Sequence, residues 1–218
     1  MRALGLVFSA RQKGNCYDCV NYCLQQLDDR DIKTRVVNLS EYKILPCSNC
    51  SYECFSERIR GTKESCPIND DLPKIYKEFE NADMIIFGIP TYVGHVPALF
   101  RAWEERSLGI YGFDKFYRIL EGKIYGFIVI GSYFALNEAL YRFSGMPKVT
   151  WILLRSREYE LDPLKKGLIE IPDVKGRLNI FVKSLMKLAR VSQSQTLTYK
   201  ERQKTCHFSF SRKPSLYP

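Results

Sequence analysis

Five short apolar runs restrict what this chain can fold into more than any other feature. They occupy residues 3–8, 34–39, 84–89, 123–130 and 149–154. The run Met84-Ile85-Ile86-Phe87-Gly88-Ile89, stopped by Pro90, is apolar at nearly every position, as a strand covered on both faces must be. Helical spacing fills the intervals. Val20, Cys23, Leu24 and Leu27 share one stripe, and Leu178, Phe181, Val182, Leu185 and Leu188 share another. Helices are expected over residues 16–27, 70–81, 96–106, 134–143 and 175–188. Strands alternating with helices specify an α/β domain, a parallel sheet with helices on both faces.

Length and composition agree with one such domain. The chain has 218 residues, 45% hydrophobic and 26% charged, the balance of a folded globular protein. No apolar run reaches the roughly 20 residues that span a bilayer, and the opening apolar stretch is too short for a secretion signal. These features predict a cytoplasmic protein with no membrane partner. The net charge of +9 is uneven. Arg190, Lys200, Arg202, Lys204, Arg212 and Lys213 stand against Glu201 alone. The body is therefore only mildly basic, and no nucleic-acid partner is expected. The domain should end near residue 189. Residues 190–218 read as a basic tail, partly disordered or docked on a neighbouring subunit.

Ligands of a parallel sheet sit beyond the carboxyl ends of its strands. Ser9-Ala10-Arg11-Gln12-Lys13-Gly14-Asn15-Cys16 lies there, between the first strand and a helix N-terminus. Free N–H groups and the helix dipole favour an anion at such a place. Ser9 offers a hydroxyl, Arg11 a guanidinium, and Gly14-Asn15 let the backbone curl. Neither G-x-x-x-x-G-K-[ST] nor G-x-G-x-x-G is present, which excludes the common triphosphate and dinucleotide loops. After the third strand, Pro90-Thr91-Tyr92-Val93-Gly94 combines a stiff turn, an aromatic side chain and a glycine that lets main chain approach a flat ring.

The chain holds eight cysteines, and without an export signal these should stay thiols. Cys47, Cys50, Cys54 and Cys66 follow C-x2-C-x3-C-x11-C and end in Cys66-Pro67. Their segment, residues 45–67, shows no period, and long loops inside a domain are usually functional. Four thiolates can hold a [4Fe–4S] cluster. They can also bind zinc, or pack as small apolar groups without metal. Cys16, Cys19 and Cys23 repeat part of the spacing, but they share one helix face and read as core. His95 reads as a surface histidine.

Taken together, these segments resemble the NADPH-dependent FMN reductase family of flavodoxin-like proteins, in its iron–sulfur flavoprotein branch. The first loop is similar to that family's S-P-R-x-x-G-N-T, and residues 83–94 to its A-D-x-I-I-F-G-S-P-V-Y-x-G. Cys66-Pro67-Ile68-Asn69-Asp70-Asp71-Leu72 is similar to its C-x-I-x-D-D-M. The resemblance runs from Ala3 to about Ile130. It implies a doubly wound five-stranded sheet in order 2-1-3-4-5, a three-layer sandwich. It further implies an FMN phosphate held by Ser9, Arg11, Gly14, Asn15 and Cys16, and a flavin ring lined by Pro90, Thr91, Tyr92, Val93 and Gly94. A third contact would come from Gly131, Ser132 and Tyr133. Ala10 and Cys16 stand where the family has Pro and Thr, Gly131-Ser132-Tyr133 lacks the family's second Gly, and the cysteine spacing is wider than the family's.

The function this implies is an oxidoreductase in which NAD(P)H or reduced ferredoxin delivers electrons to FMN. A [4Fe–4S] cluster on Cys47, Cys50, Cys54 and Cys66 would then exchange them singly with an outside partner. The family also implies a homodimer or homotetramer. Two other readings stay open: a plain flavin or quinone reductase whose cysteines bind nothing, and a non-enzymatic electron carrier or redox sensor.

Overall fold

The third apolar run becomes the centre of the molecule because both its faces find partners. The computed structural model describes residues 1–48, 66–111, 113–160 and 167–190. In chain order the elements are β1 (Arg2–Val7), α1 (Asn15–Asp28), β2 (Lys33–Asn38), α2 (Leu72–Asn81), β3 (Met84–Pro90) and α3 (Ala98–Tyr111). They continue with α4 (Phe113–Leu120), β4 (Ile124–Ile130), α5 (Tyr133–Tyr141), β5 (Val149–Leu154) and α6 (Pro172–Ala189). The five strands form one parallel sheet in the order β2-β1-β3-β4-β5, the order expected.

Alternation along the strands sorts the core into two layers. Leu4, Leu6, Phe8, Ile85, Phe87, Ile89, Phe127 and Val129 face α2, α3 and α5. Ala3, Val7, Met84, Ile86, Ile128, Ile152 and Leu154 face α1 and α6. The first layer is aromatic. Phe87 stacks on Phe127 at 4.7 Å, Tyr76 stacks on Trp103 at 5.6 Å, and Phe8 meets Phe100 edge-on at 5.1 Å. The second layer is closer-fitting. A Cβ on Gly88 would stand 2.7 Å from Val20 Cγ2, and one on Gly5 would stand 2.5 Å from Val20 Cγ1. These two bare positions let α1 settle directly on β1 and β3.

Register lines up the carboxyl ends. Val7 pairs with Asn38 and with Gly88, Pro90 with Ile130, and Ile130 with Leu154. The loops after β1, β3, β4 and β5 therefore open on the same edge of the sheet.

The structure departs from the sequence reading in three helices. α3 continues to Tyr111 rather than stopping at Arg106, and α4 was not anticipated at all. Arg106 and Ser107 break the apolar period of α3, yet both are buried, at 1% and 0% exposure. Each has a polar partner inside: Asp70 for Arg106 and Arg142 for Ser107. α6 begins earlier than expected, at Pro172, whose missing N–H costs nothing in a first helical turn. Among the described residues no helix is long and apolar enough to cross a membrane. The expected tail falls outside the described residues from 191 onward.

Candidate functional site

The loop after β1 is tied down from two sides. Asn38, at the end of β2 and 3% exposed, donates through its side-chain amide to the carbonyls of Arg11 and Gln12. Ser9 is 5% exposed, and its Oγ accepts the Arg11 N–H at 3.1 Å. Gly14 occupies the N-cap of α1 without a side-chain cap. A helix N-terminus without a side-chain cap favours an anion through its amides and dipole. Asn15 is fixed by its Oδ1, which accepts the Leu168 N–H at 3.3 Å.

Cys16 belongs here through its backbone alone. Its thiol is buried in the α1 layer, and burial pushes its pKa well above the ordinary thiol value. Cys19 and Cys23 share that environment, with Cys19 pushed up to about 12 by burial and then by Asp18. All three pack as core, in line with the sequence reading.

The loop after β3 is a tight turn. Tyr92 and His95 exchange two backbone hydrogen bonds of 3.0 Å, and the residues between them, Val93 and Gly94, have φ of 50° and 88°. Positive φ at both central positions is the habit of a type I′ turn, which prefers Asn-Gly or Gly-Gly. Val93 is a β-branched exception, and a strained one. Its side chain is 97% exposed and lines neither hollow described below, so the expected Val93 ring contact could only come from its main chain.

Three hydrogen bonds join the loops. The Tyr92 hydroxyl accepts the Ala10 N–H at 3.0 Å, the Ser132 N–H donates to Thr91 Oγ1 at 2.9 Å, and Ser132 Oγ donates to the Gly94 carbonyl at 2.6 Å. Gly131 sits at φ 136°, where a Cβ would strike Thr91 at 2.4 Å. Only glycine fits there.

Two hollows lie along this seam, and Thr91 and Gly131 line both. The smaller, about 180 Å³, is lined by Ser9, Arg11, Gly14, Asn15, Cys16, Pro90 and Tyr92. The larger, about 690 Å³, is lined by Gly94, Ser132, Tyr133, Phe134, Arg155, Arg157 and Glu158. The residues expected at a phosphate thus gather around one hollow, and most of those expected at a ring around the next. Phe134, Arg155, Arg157 and Glu158 were missed in the sequence. The last three follow β5, in a stretch with no motif to mark them. The Arg155 guanidinium lies 4.4 Å from the centre of the Tyr133 ring, a cation–π contact at the rim.

His95 is exposed, as expected, and has a partner. Its Nδ1 meets Glu138 Oε1 at 2.9 Å, Arg101 approaches the same oxygen at 3.2 Å, and the Val96 N–H donates to Glu138 Oε2 at 2.9 Å.

The cysteine-bearing segment is described only at its ends. Cys47 is exposed and Cys66 half-buried, while Cys50 and Cys54 lie outside the described residues. Among the described residues no three His, Cys, Asp or Glu side chains are grouped to hold a metal. The two ends are bound to each other. Lys43 and Asp71 exchange backbone and side-chain bonds of 3.0 Å, and the Leu45 N–H donates to Asp70 Oδ2 at 2.9 Å. Beneath them lies a fully buried ion pair, Arg106 with Asp70. The guanidinium donates to Asp70 Oδ1 and to the Leu45 carbonyl at 3.0 Å each, and to the Ile68 carbonyl at 3.3 Å. It also bonds the Cys66 side chain. Burial works against charge on both partners. Their hydrogen bonds outweigh it, leaving Asp70 below and Arg106 above the ordinary value.

A family model described as NADPH-dependent FMN reductase matches residues 1–144. The chain belongs to this family. An iron–sulfur flavoprotein of Methanocaldococcus jannaschii is 31% identical over 133 residues, covering 61% of this chain and 63% of that protein. An iron–sulfur flavoprotein of Methanosarcina thermophila is also 31% identical, covering 50% of this chain and 53% of its own length. The chain thus spans less than two thirds of these curated relatives. Among solved structures, RosB with bound 8-demethyl-8-formylriboflavin 5′-phosphate superposes with a TM-score of 0.66 at 14% identity, over 100% of this chain and 92% of that one. At that identity the likeness speaks for the flavodoxin-like fold, which the strand order shares.

Proposed function

We propose that this protein is an FMN-dependent oxidoreductase that takes electrons from a two-electron donor such as NAD(P)H, or from reduced ferredoxin, and passes them singly to a partner through a [4Fe–4S] cluster. The observation that carries the flavin half is the seam of Thr91 and Gly131. It joins an anion-ready helix terminus to a larger hollow edged by Tyr133 and Phe134. A mononucleotide flavin has that shape, a phosphate at one end and a flat ring at the other. The two archaeal relatives, both iron–sulfur flavoproteins, support the cluster half. So does the pinned pair of segment ends that offers Cys47 and Cys66. Cys50 and Cys54 would complete the ligand set.

Bound FMN would convert two-electron into one-electron chemistry, and a thiolate-held cluster would carry one electron at a time. The chain's own work is binding and orientation. Ser9, Arg11 and the amides of Gly14, Asn15 and Cys16 hold the phosphate. Pro90, Thr91, Tyr92, Val93 and Gly94, with Gly131, Ser132 and Tyr133, place the ring. Arg157, with Arg155 ion-paired to Glu158 at 3.7 Å, brings positive charge to the wall where an anionic donor would lie. Phe134, Tyr141 and Trp151 are 73%, 82% and 50% exposed, an apolar face that supports assembly as a homodimer or homotetramer. The cytoplasm is the compartment that suits reduced thiols.

Anaerobic purification followed by absorption, iron and sulfide analysis tests this reading. The expected result is about one FMN and about four iron per chain. Flavin without iron would leave the plain reductase. Colourless protein that refuses added FMN would remove the reading altogether.

A further inference from the structure

The buried ion pair beneath the cysteine segment is costly unless it has a task. Removing two charges from water is rarely repaid by their mutual attraction alone. The side chains of Arg106 and Asp70 are both closed to solvent, where α3 meets the turn that leads into α2. Their bonds all go to one place. Arg106 reaches the carbonyls of Leu45 and Ile68 and the side chain of Cys66, while Asp70 accepts the N–H groups of Leu45 and Leu72. The pair therefore grips the chain just before Cys47 and just after Cys66. The Arg106 Nε–H, buried and without an acceptor among the described residues, leaves donor capacity in the same guanidinium.

We propose that Arg106 is a positioning residue for the metal-ligating cysteines: it locks the two ends of their segment together and sets a fixed positive charge against Cys66. The inference rests on the reading of Cys47 and Cys66 as ligands. Its consequence is electrical. A thiolate-held centre carries one more negative charge when reduced, and a hydrogen-bonded cation beside a ligating sulfur favours that form. Asp70, by the same argument, opposes it and holds Arg106 in place.

Redox titration of the iron-loaded holoprotein compares wild type with Arg106→Gln and Asp70→Asn. Loss of the cation should lower the midpoint, and loss of the carboxylate should raise it. The reduced-to-oxidised ratio at fixed potential should change by about tenfold, which is about 59 mV for one electron. Opposite shifts support the assignment, because a loop merely loosened would move both midpoints the same way. Unshifted midpoints in variants that keep iron and FMN would overturn it, as would shifts of one sign. A second measurement needs no iron. In metal-free protein the Leu45 and Leu72 amides should exchange hydrogen about tenfold faster in Arg106→Gln, with Arg106→Lys lying between. Wild type without iron would fail the functional reading, and this exchange would then decide the clamp: unchanged rates would remove it.

Discussion

Tyr92 links two loops through one oxygen, and its effect can be separated from its ring. The hydroxyl accepts the Ala10 N–H, so Tyr92→Phe keeps the aromatic wall and releases the first loop. One such bond is worth about 1 kcal/mol, and FMN affinity should weaken by roughly 3- to 10-fold, measured by fluorescence titration. An unchanged Kd would show that the loop is held without it. Two positions away, Val93→Gly should relieve a φ of 50° and raise stability by about 1 kcal/mol, read from urea midpoints. The turn around Tyr92 was legible because its residue types are short-range signals. The hydroxyl's partner lies 82 residues away, a distance at which residue type carries no message. Glu138 was equally silent. Burial alone would raise its pKa, but the Val96 N–H, His95 and Arg101 together hold it below the ordinary value. A carboxylate with a depressed folded pKa adds stability that is complete above its unfolded value, about 4.3, and is lost as pH falls through the folded one. Wild type should therefore lose more stability than Glu138→Gln on acidification below about pH 4. Parallel losses in urea melts would show the contacts contribute nothing.

At the level of elements, helix α1 depends on bareness in the sheet. Gly88→Ala would set a methyl 2.7 Å from Val20 and 3.3 Å from the Cys16 carbonyl, lifting the end of the helix that faces the smaller hollow. Overpacking of this kind costs about 1–3 kcal/mol. It should lower the melting temperature by about 2–10 °C and weaken FMN binding beyond what stability alone explains. Normal affinity in a destabilised variant would mean that the helix terminus does not hold the phosphate. The strands were readable because both-face burial writes a continuous apolar run. α3 was cut short in the reading because Arg106 and Ser107 look like surface residues until their partners just before α2 and just after α5 are in view. Pairing of that sort is tertiary, and no local period announces it.

Over the molecule as a whole, the described residues lining the two hollows lie between Ser9 and Glu158. Removing residues 191–218 should accordingly leave FMN affinity within about twofold, since every described residue of the cleft is kept. A larger loss would place part of the tail at the site. The sheet order and the loops after β1 and β3 were legible because each is encoded by contiguous residues. The wall after β5 was not, since Arg155, Arg157 and Glu158 acquire meaning only when β5 is set beside β4. The join between Lys43–Leu45 and Cys66–Asp71 has a further consequence. A stretch of chain sewn shut at its base behaves like a cassette: its length and chemistry can change without tugging on the framework below. The same scaffold could then keep its fold while that insert alone is exchanged.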